Sequence, residues 1–134
     1  MSKRAAQKWL KQALHDLEMS QKNLDIGGYD VAAFLAHQAI EKLLKALLIL
    51  KGQRPPKSHY LDELGRMLGL DETVIIGFSD LSIDYFFSRY PDVSDDIPFE
   101  QYSEDSAISK VETARELFRN LEPEYRSLLE TNGT

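Results

Sequence analysis

Residues 29–52, YDVAAFLAHQAIEKLLKALLILKG, decide how this chain folds. Apolar residues recur there every three or four positions, which at about 100° per residue places them on one half of a helix. The other half carries a group of polar side chains, called here the polar cluster: His37, Gln38, Glu41, Lys42 and Lys45. Phe34 and Leu48 lie among them, although large apolar side chains are not expected on a helix face that contacts only water. We therefore expect the polar cluster to face another helix, a partner chain or a ligand.

The composition is that of one soluble domain. With 134 residues, of which 43% are hydrophobic and 28% charged, the chain is long enough for one core and short for two, so we expect a single domain over residues 1–134. It has no Cys, which excludes disulfides, thiolate metal ligands and a Cys nucleophile. The basic start MSKRAAQK is not followed by an apolar run, and Lys42 and Lys45 interrupt the most apolar stretch. We expect a cytoplasmic protein with no secretion signal and no membrane span.

Charge is spread unevenly along the chain. The net charge of −6 argues against non-specific nucleic-acid binding, which depends on neutralising phosphates. Residues 1–70 hold 11 Lys and Arg against 7 Asp and Glu, a net +4, whereas residues 71–134 hold 5 against 15, a net −10. The asymmetry has three interpretations: a basic face for an anionic ligand, electrostatic attraction between two copies of the chain, or solvent-exposed helix faces whose charges are unevenly distributed without a functional cause.

Helical spacing extends to both sides of the central stretch. A first helix is predicted over residues 2–26, ended by Gly27-Gly28, and Asp30 is a candidate cap for the second helix. So short a link favours an antiparallel pair of helices. After Gly52 the two prolines of QRPPKS prevent helix continuation, and Ser58 is the candidate cap of a short third helix.

The second half of the chain is also helical. The third helix is closed by Gly69, and a fourth opens at Asp71 and ends at the Arg89 turn. An acidic loop, DVSDDIPFEQY, precedes a last helix that Ser103 caps, and Pro123 either kinks this helix or begins a final short piece. No segment alternates with period two. The sequence therefore predicts an all-α, up-and-down bundle of four to five helices.

Four pieces of sequence, taken in order, resemble the small prokaryotic HEPN domains (higher eukaryotes and prokaryotes nucleotide-binding). They are WLKQALHDLEMSQ, GGYDVAAFLAHQAIEKLLKALL, SHYLDEL after the Pro-rich loop, and SRYPD. The specific part is the second-helix signature of Gln38, Glu41, Lys42 and Lys45. Aromatic and small residues precede it in the same helix. The resemblance spans essentially the whole chain.

This resemblance implies a helical bundle that commonly forms a homodimer. Stand-alone members of the family are often encoded beside a minimal nucleotidyltransferase and pair with it, in many cases as a toxin–antitoxin or stress-response system. Nucleotide binding has been proposed for the family, and several branches are metal-independent ribonucleases acting on RNA. No cofactor is implied.

The polar cluster has two interpretations. In the structural one, Glu41 and Lys45, an acid followed four residues later by a base, form an ion pair on a salt-bridged surface or in a dimer seam. In the functional one, Lys42 and Lys45 contact phosphates while Gln38 reads a base or orients a side chain. Asp16 lies on a stripe of the first helix that can face this cluster.

A second candidate ligand-binding or partner-binding element is the turn that contains Arg89 and Tyr90. Arginine is the usual residue for bidentate recognition of phosphate or carboxylate, and the following proline would hold it in place. The alternative is a helix stop in which Arg89 satisfies the carbonyls of the last turn. An R-Y-P turn is also part of the family resemblance.

A ribonuclease member of this family is expected to carry an Arg followed after four to six residues by a His. One match exists, Arg54 and His59, in which His would serve as general acid or base and Arg would offset phosphate charge. It departs from the usual pattern because a proline follows the Arg and the Arg lies in an interhelical loop. Arg119 begins a second match that fails, since no His follows His59 in the chain.

No metal or cofactor site is expected. His37 and Glu41 at i,i+4 offer only two ligands, and the chain has no Gly-rich phosphate loop. The leading hypothesis is a non-catalytic, dimeric HEPN protein that partners a nucleotidyltransferase and binds a nucleotide at the polar cluster. The rival hypothesis is a metal-independent ribonuclease that uses Arg54 and His59.

Overall fold

The structure is a computed structural model that describes residues 2–82, 92 and 95–130. This part of the chain is all-helical and contains no strand, which confirms the predicted fold class. Nor does it contain a helix that is long and apolar enough to cross a membrane. The elements are α1 (Lys3–Asp25), α2 (Tyr29–Leu50), α3 (Leu61–Met67), α4 (Glu72–Ser79), a 3-10 helix (Pro98–Gln101) and α5 (Glu104–Leu129).

Helices α1 and α2 form the predicted antiparallel pair. The Ser2 side chain accepts a hydrogen bond from the Ala5 amide and so caps α1. Gly27, with a φ of 79°, supplies the left-handed residue that turns the chain back. The expected cap of α2 was wrong: the helix begins one residue before Asp30, so Gly28 holds the cap position and makes no side-chain bond. Asp30 instead lies in the first turn, where its negative charge suits the helix dipole.

Helix α5 packs against both members of this pair. The Gln7 side chain, near the start of α1, donates to the Leu128 carbonyl near the end of α5, so these two helices are antiparallel and α5 runs parallel to α2. Ser103 caps α5 as predicted, in a capping box with Ser106. Pro123 lies inside α5, which continues as one helix to Leu129 rather than beginning a new piece.

The short helix α3 packs against α2, and α4 packs against α3 and α5. Helices α3 and α4 approach closely at Gly65, where an added Cβ would lie 3.0 Å from a side-chain carbon of Ile75. Asp71, predicted to open α4, is its cap and accepts from the Thr73 amide. Helix α4 ends at Ser79, well before the predicted end at Arg89. Residues 83–91, which the longer prediction included, lie outside the described part of the chain.

The start of α3 also differs from the prediction. Tyr60 occupies the cap position, and its side chain does not cap the helix. The Ser58 hydroxyl, expected to cap this helix, accepts instead from the Tyr60 amide and donates to Glu63. The loop over residues 51–60 is thereby tied to α3 at its far end and lies over the middle of α2.

Candidate functional site

The polar cluster lies on the face of α2 that α1 and the loop before α3 cover. His37 is fully buried, and Glu41 and Lys45 each expose only 5% of their surface. We expected this face to contact another helix, a partner chain or a ligand. In the structure its polar groups contact another helix of the same chain, α1. Phe34 is half-buried and Leu48 fully buried beside them, which accounts for apolar residues within a polar arc.

Glu41 and Lys45 form the predicted ion pair. The Lys45 Nζ donates to Glu41 Oε2 at 2.9 Å, and both side chains are only 6% exposed. The same ammonium lies 5.7 Å from the centre of the Trp9 ring on α1, within the range of a cation–π interaction. A buried charge is costly unless its partners are present, so the Lys45 ammonium depends on Glu41 of its own helix and on the Trp9 ring of α1.

A second ion pair joins α1 to α2 one turn away. Lys42 donates to Asp16 Oδ2, as the position of Asp16 on its helix predicted. Gln12, on the same helix, donates to the other carboxylate oxygen at 2.9 Å. Asp16 is buried whereas the Lys42 side chain is 22% exposed, so this pair lies at the edge of the buried region.

The polar cluster also fastens the loop before α3. His37 Nε2 donates to the main-chain carbonyl of His59 at 2.8 Å, which requires the Nε2–H tautomer of His37. Gln38 lies beside the other ring nitrogen of His37, with its amide nitrogen 3.3 Å away. The His59 ring contacts Glu41, with Nδ1 3.0 Å from Oε1, and its side chain is 39% exposed. Glu41 therefore bridges a buried ammonium and a half-exposed imidazole.

Asp16, Glu41, Lys42 and Lys45 together carry no net charge, because each acid has one lysine partner. Among the residues that the structure describes, no buried side-chain nitrogen or oxygen lacks a hydrogen-bond partner. The charges of this arrangement are satisfied by one another and by α1, and only Gln38, Lys42 and the His59 ring are partly exposed to solvent.

The remaining candidate residues are scattered or lie elsewhere. Arg54 is exposed in the loop and, in the described part of the chain, makes no hydrogen bond or ion pair with His59. Arg89 and Tyr90 fall within residues 83–91, outside the described residues. The structure thus brings together Gln38, Glu41, Lys42 and Lys45 and adds His59 to them.

Two contacts were not predicted. The bond between His59 and Glu41 joins residues 18 positions apart across a loop without periodicity, so no spacing rule indicates it. The contact of Trp9 with Lys45 was also missed, although the position of Trp9 on the same stripe of α1 as Asp16 is a usable signal. No group of three or more His, Cys, Asp or Glu residues within the described ranges has a geometry that would hold a metal ion.

Comparisons with known proteins agree with this architecture. The HEPN domain family matches residues 6–123. The crystal structure of TT1696 from Thermus thermophilus is 29% identical, covers 89% of this chain and 97% of its own, and superposes with a TM-score of 0.80. ST0689, an archaeal HEPN homologue, is also 29% identical over 89% of this chain and 96% of its own, with a TM-score of 0.73. No match was found among proteins of curated function. The chain belongs to the HEPN domain family.

Proposed function

We propose that this HEPN protein is a non-catalytic, dimeric interaction module that partners a minimal nucleotidyltransferase in a toxin–antitoxin or stress-response system. The observation that carries the proposal is the closed state of the polar cluster. Its two acids and two bases are paired and mostly buried, so they satisfy one another inside the scaffold and are not poised to act on a substrate. The working surface is then the outside of the bundle.

The exterior offers apolar surface suited to a protein partner. Several large apolar side chains of the described residues are exposed on the short elements: Tyr60, Met67, Ile76, Ile97 and Phe99. Protein interfaces have apolar centres with polar rims, so such residues are the expected anchors. A nucleotide, if bound, would contact the cluster through Lys42, because Lys45 is enclosed.

The direct test mixes the purified protein with a minimal nucleotidyltransferase encoded beside it. We expect the two to co-elute in size-exclusion chromatography and the HEPN protein alone to elute as a dimer. Separate elution at concentrations of about 10 μM, above the Kd of a typical specific complex, would contradict the partnership.

Nucleotide binding is tested separately by calorimetric titration of ATP and GTP. The Lys42→Ala variant should bind more weakly than the wild type, because a phosphate contact is lost. Lys22→Ala is the matched control, since this exposed lysine of α1 is paired only with Glu18 on its own helix among the described residues. Equal affinity of wild type and Lys42→Ala would remove the nucleotide from the proposal and leave the partnership intact.

The contact between His59 and Glu41 favours a second candidate, the metal-independent ribonuclease. A buried carboxylate that receives Nδ1–H of a half-exposed histidine fixes its tautomer and orientation, as a general acid or base requires. This function predicts RNA cleavage that persists in EDTA and is lost in His59→Ala and Arg54→Ala. His15→Ala, on the exposed face of α1, should cleave like the wild type. Absence of cleavage by the wild-type protein would exclude this candidate.

A further inference from the structure

A groove lies between α1 and α2 on the outer side of the polar cluster. It has a volume of about 280 Å³ and is lined by Lys8, Trp9, Gln12 and Lys42. We call it the tryptophan groove. The indole ring and the aliphatic parts of the lysines provide an apolar surface with positive charge at its rim.

The charge of the tryptophan groove limits what it can bind. Lys42 is already neutralised by Asp16, and Gln12 donates to the same carboxylate. Only Lys8 adds an uncompensated positive charge to the lining. A carboxylate next to an apolar side chain matches both the single charge and the apolar surface.

The residues around the groove also favour a negatively charged partner. Over residues 3–15, which we call the basic stretch, α1 carries Lys3, Arg4, Lys8 and Lys11 and no acidic residue. These four side chains belong to exposed residues. A partner seated in the groove therefore gains from several negative charges spaced along an extended segment, since oppositely charged surfaces attract and orient one another.

This chain itself contains a segment of that description. Residues 95–105, which we call the acidic segment, hold five acids and no base. Between these acids, Ile97 and Phe99 are 53% and 61% exposed, although both are large apolar side chains. Exposed aromatic groups within a charged surface are typical anchors of a protein interface.

We propose that the tryptophan groove of one copy receives the acidic segment of a second copy, with Phe99 against the Trp9 ring and the acids facing the basic stretch. The inference rests on the proposed dimer and specifies its contacts. In a two-fold dimer the contact occurs twice, because each copy presents both surfaces. A stable interface buries about 800 Å² on each partner. One groove of this size is too small for that area, so two such contacts are needed.

The reciprocal arrangement can be tested with opposite charge reversals. Lys8→Glu places an acid against the acidic segment at both contacts of a homodimer, and Asp95→Lys places a base against the basic stretch. Each variant alone should dimerise about tenfold more weakly than the wild type in sedimentation analysis, the change expected for about 1.4 kcal/mol. Mixed together, they should form a heterodimer, because one contact is then native and the other has both charges exchanged. Native mass spectrometry distinguishes the heterodimer from the homodimers.

Phe99→Ala tests the apolar part of the contact. Trp9 is the only tryptophan of the chain and reports directly on the groove. Its fluorescence should shift to shorter wavelength as the wild-type protein is concentrated, and Phe99→Ala should remove this shift without changing the far-UV circular dichroism. Lys22→Glu is the control, because it makes the same charge change on α1 outside the groove and should leave dimerisation unchanged.

The outcomes separate this inference from the proposed function. A wild-type dimer that Lys8→Glu, Asp95→Lys and Phe99→Ala leave unchanged would overturn the proposed contact while the dimer survives. Failure of the two charge variants to form a heterodimer would overturn the reciprocal geometry. A wild-type protein that remains monomeric at all concentrations would overturn both the contact and the dimer.

Discussion

The same kind of ion pair occurs in two settings in this molecule. On α2, Glu41 and Lys45 are separated by four residues and are both almost completely buried. On α5, Glu122 and Arg126 have the same separation and the same order of charge, yet their side chains are 35% and 63% exposed. Helix spacing brings the charges together in both cases, but only tertiary packing decides how much water remains around them.

This difference changes what each pair contributes. An exposed pair is screened by water and salt and contributes little to stability. A buried pair gains little net stability over an apolar replacement, but loss of one member leaves the other charged and without its partner. The pair on α2 is covered by α1 and by the loop before α3 and is nearly free of water, whereas the pair on α5 lies at the surface.

The largest expected effect is that of Glu41→Gln. The substitution leaves the Lys45 ammonium buried without a carboxylate and weakens the contact with His59, so we expect a loss of about 3–5 kcal/mol in the free energy of unfolding. Urea denaturation followed by circular dichroism measures it. Combining Glu41→Leu with Lys45→Leu removes both charges and should recover a large part of the loss. If Glu41→Gln were as stable as the wild type, the distinction between the buried pair and the exposed pair would be refuted.

An intermediate effect is expected for Lys42→Met. Asp16 then loses its charged partner but keeps the hydrogen bond from Gln12, and the methionine retains the packing of the lysine stem. The loss should be about 1–3 kcal/mol, smaller than for Glu41→Gln. Asp16→Asn with Lys42→Met in one chain should lose less than the single variant. If Lys42→Met lost more free energy of unfolding than Glu41→Gln, the solvent exposure of a pair would not determine how much stability is lost when it is broken.

The smallest effect belongs to the exposed pair. Hydrogen bonding to Arg126 lowers the pKa of Glu122 below its ordinary value of 4.5. Because the folded-state pKa is the lower one, this contribution is present above pH 4.5 and is lost as the pH falls through the folded-state value. Thermal unfolding of Glu122→Gln should differ slightly from the wild type at pH 7, with the difference shrinking in acid and in high salt. A large difference that persists in about 1 M salt, where exposed charges are screened, would contradict this assignment.

The sequence was sufficient for most of the scaffold. Helical periodicity located α1 and α2 to within one residue at nearly every end, capping chemistry identified Ser103, and the start of α4 was placed at Asp71. These features are local, so neighbouring residues determine them. The cap of α2 was misplaced because Gly28 and Asp30 are both acceptable at a helix start, and side-chain chemistry alone does not rank them.

Less of the site was predictable. The contact of Asp16 with the polar cluster followed from helix geometry, because both partners lie on regular helices joined by a short turn. The position of His59 did not, since it depends on the path of a loop with two prolines over α2. Burial of Lys45 also depends on Trp9, which is 36 positions away, and no pattern within one helix reports such coverage.

The hydrogen bond from His37 to residue 59 has a consequence for how this protein can change over time. The acceptor is the peptide oxygen, which every amino acid supplies, so the anchoring of the loop is indifferent to the identity of the side chain at that position. Replacement of the imidazole leaves the peptide attachment in place. The loop should accordingly keep its path over α2 when the residue at position 59 is exchanged for one without an imidazole.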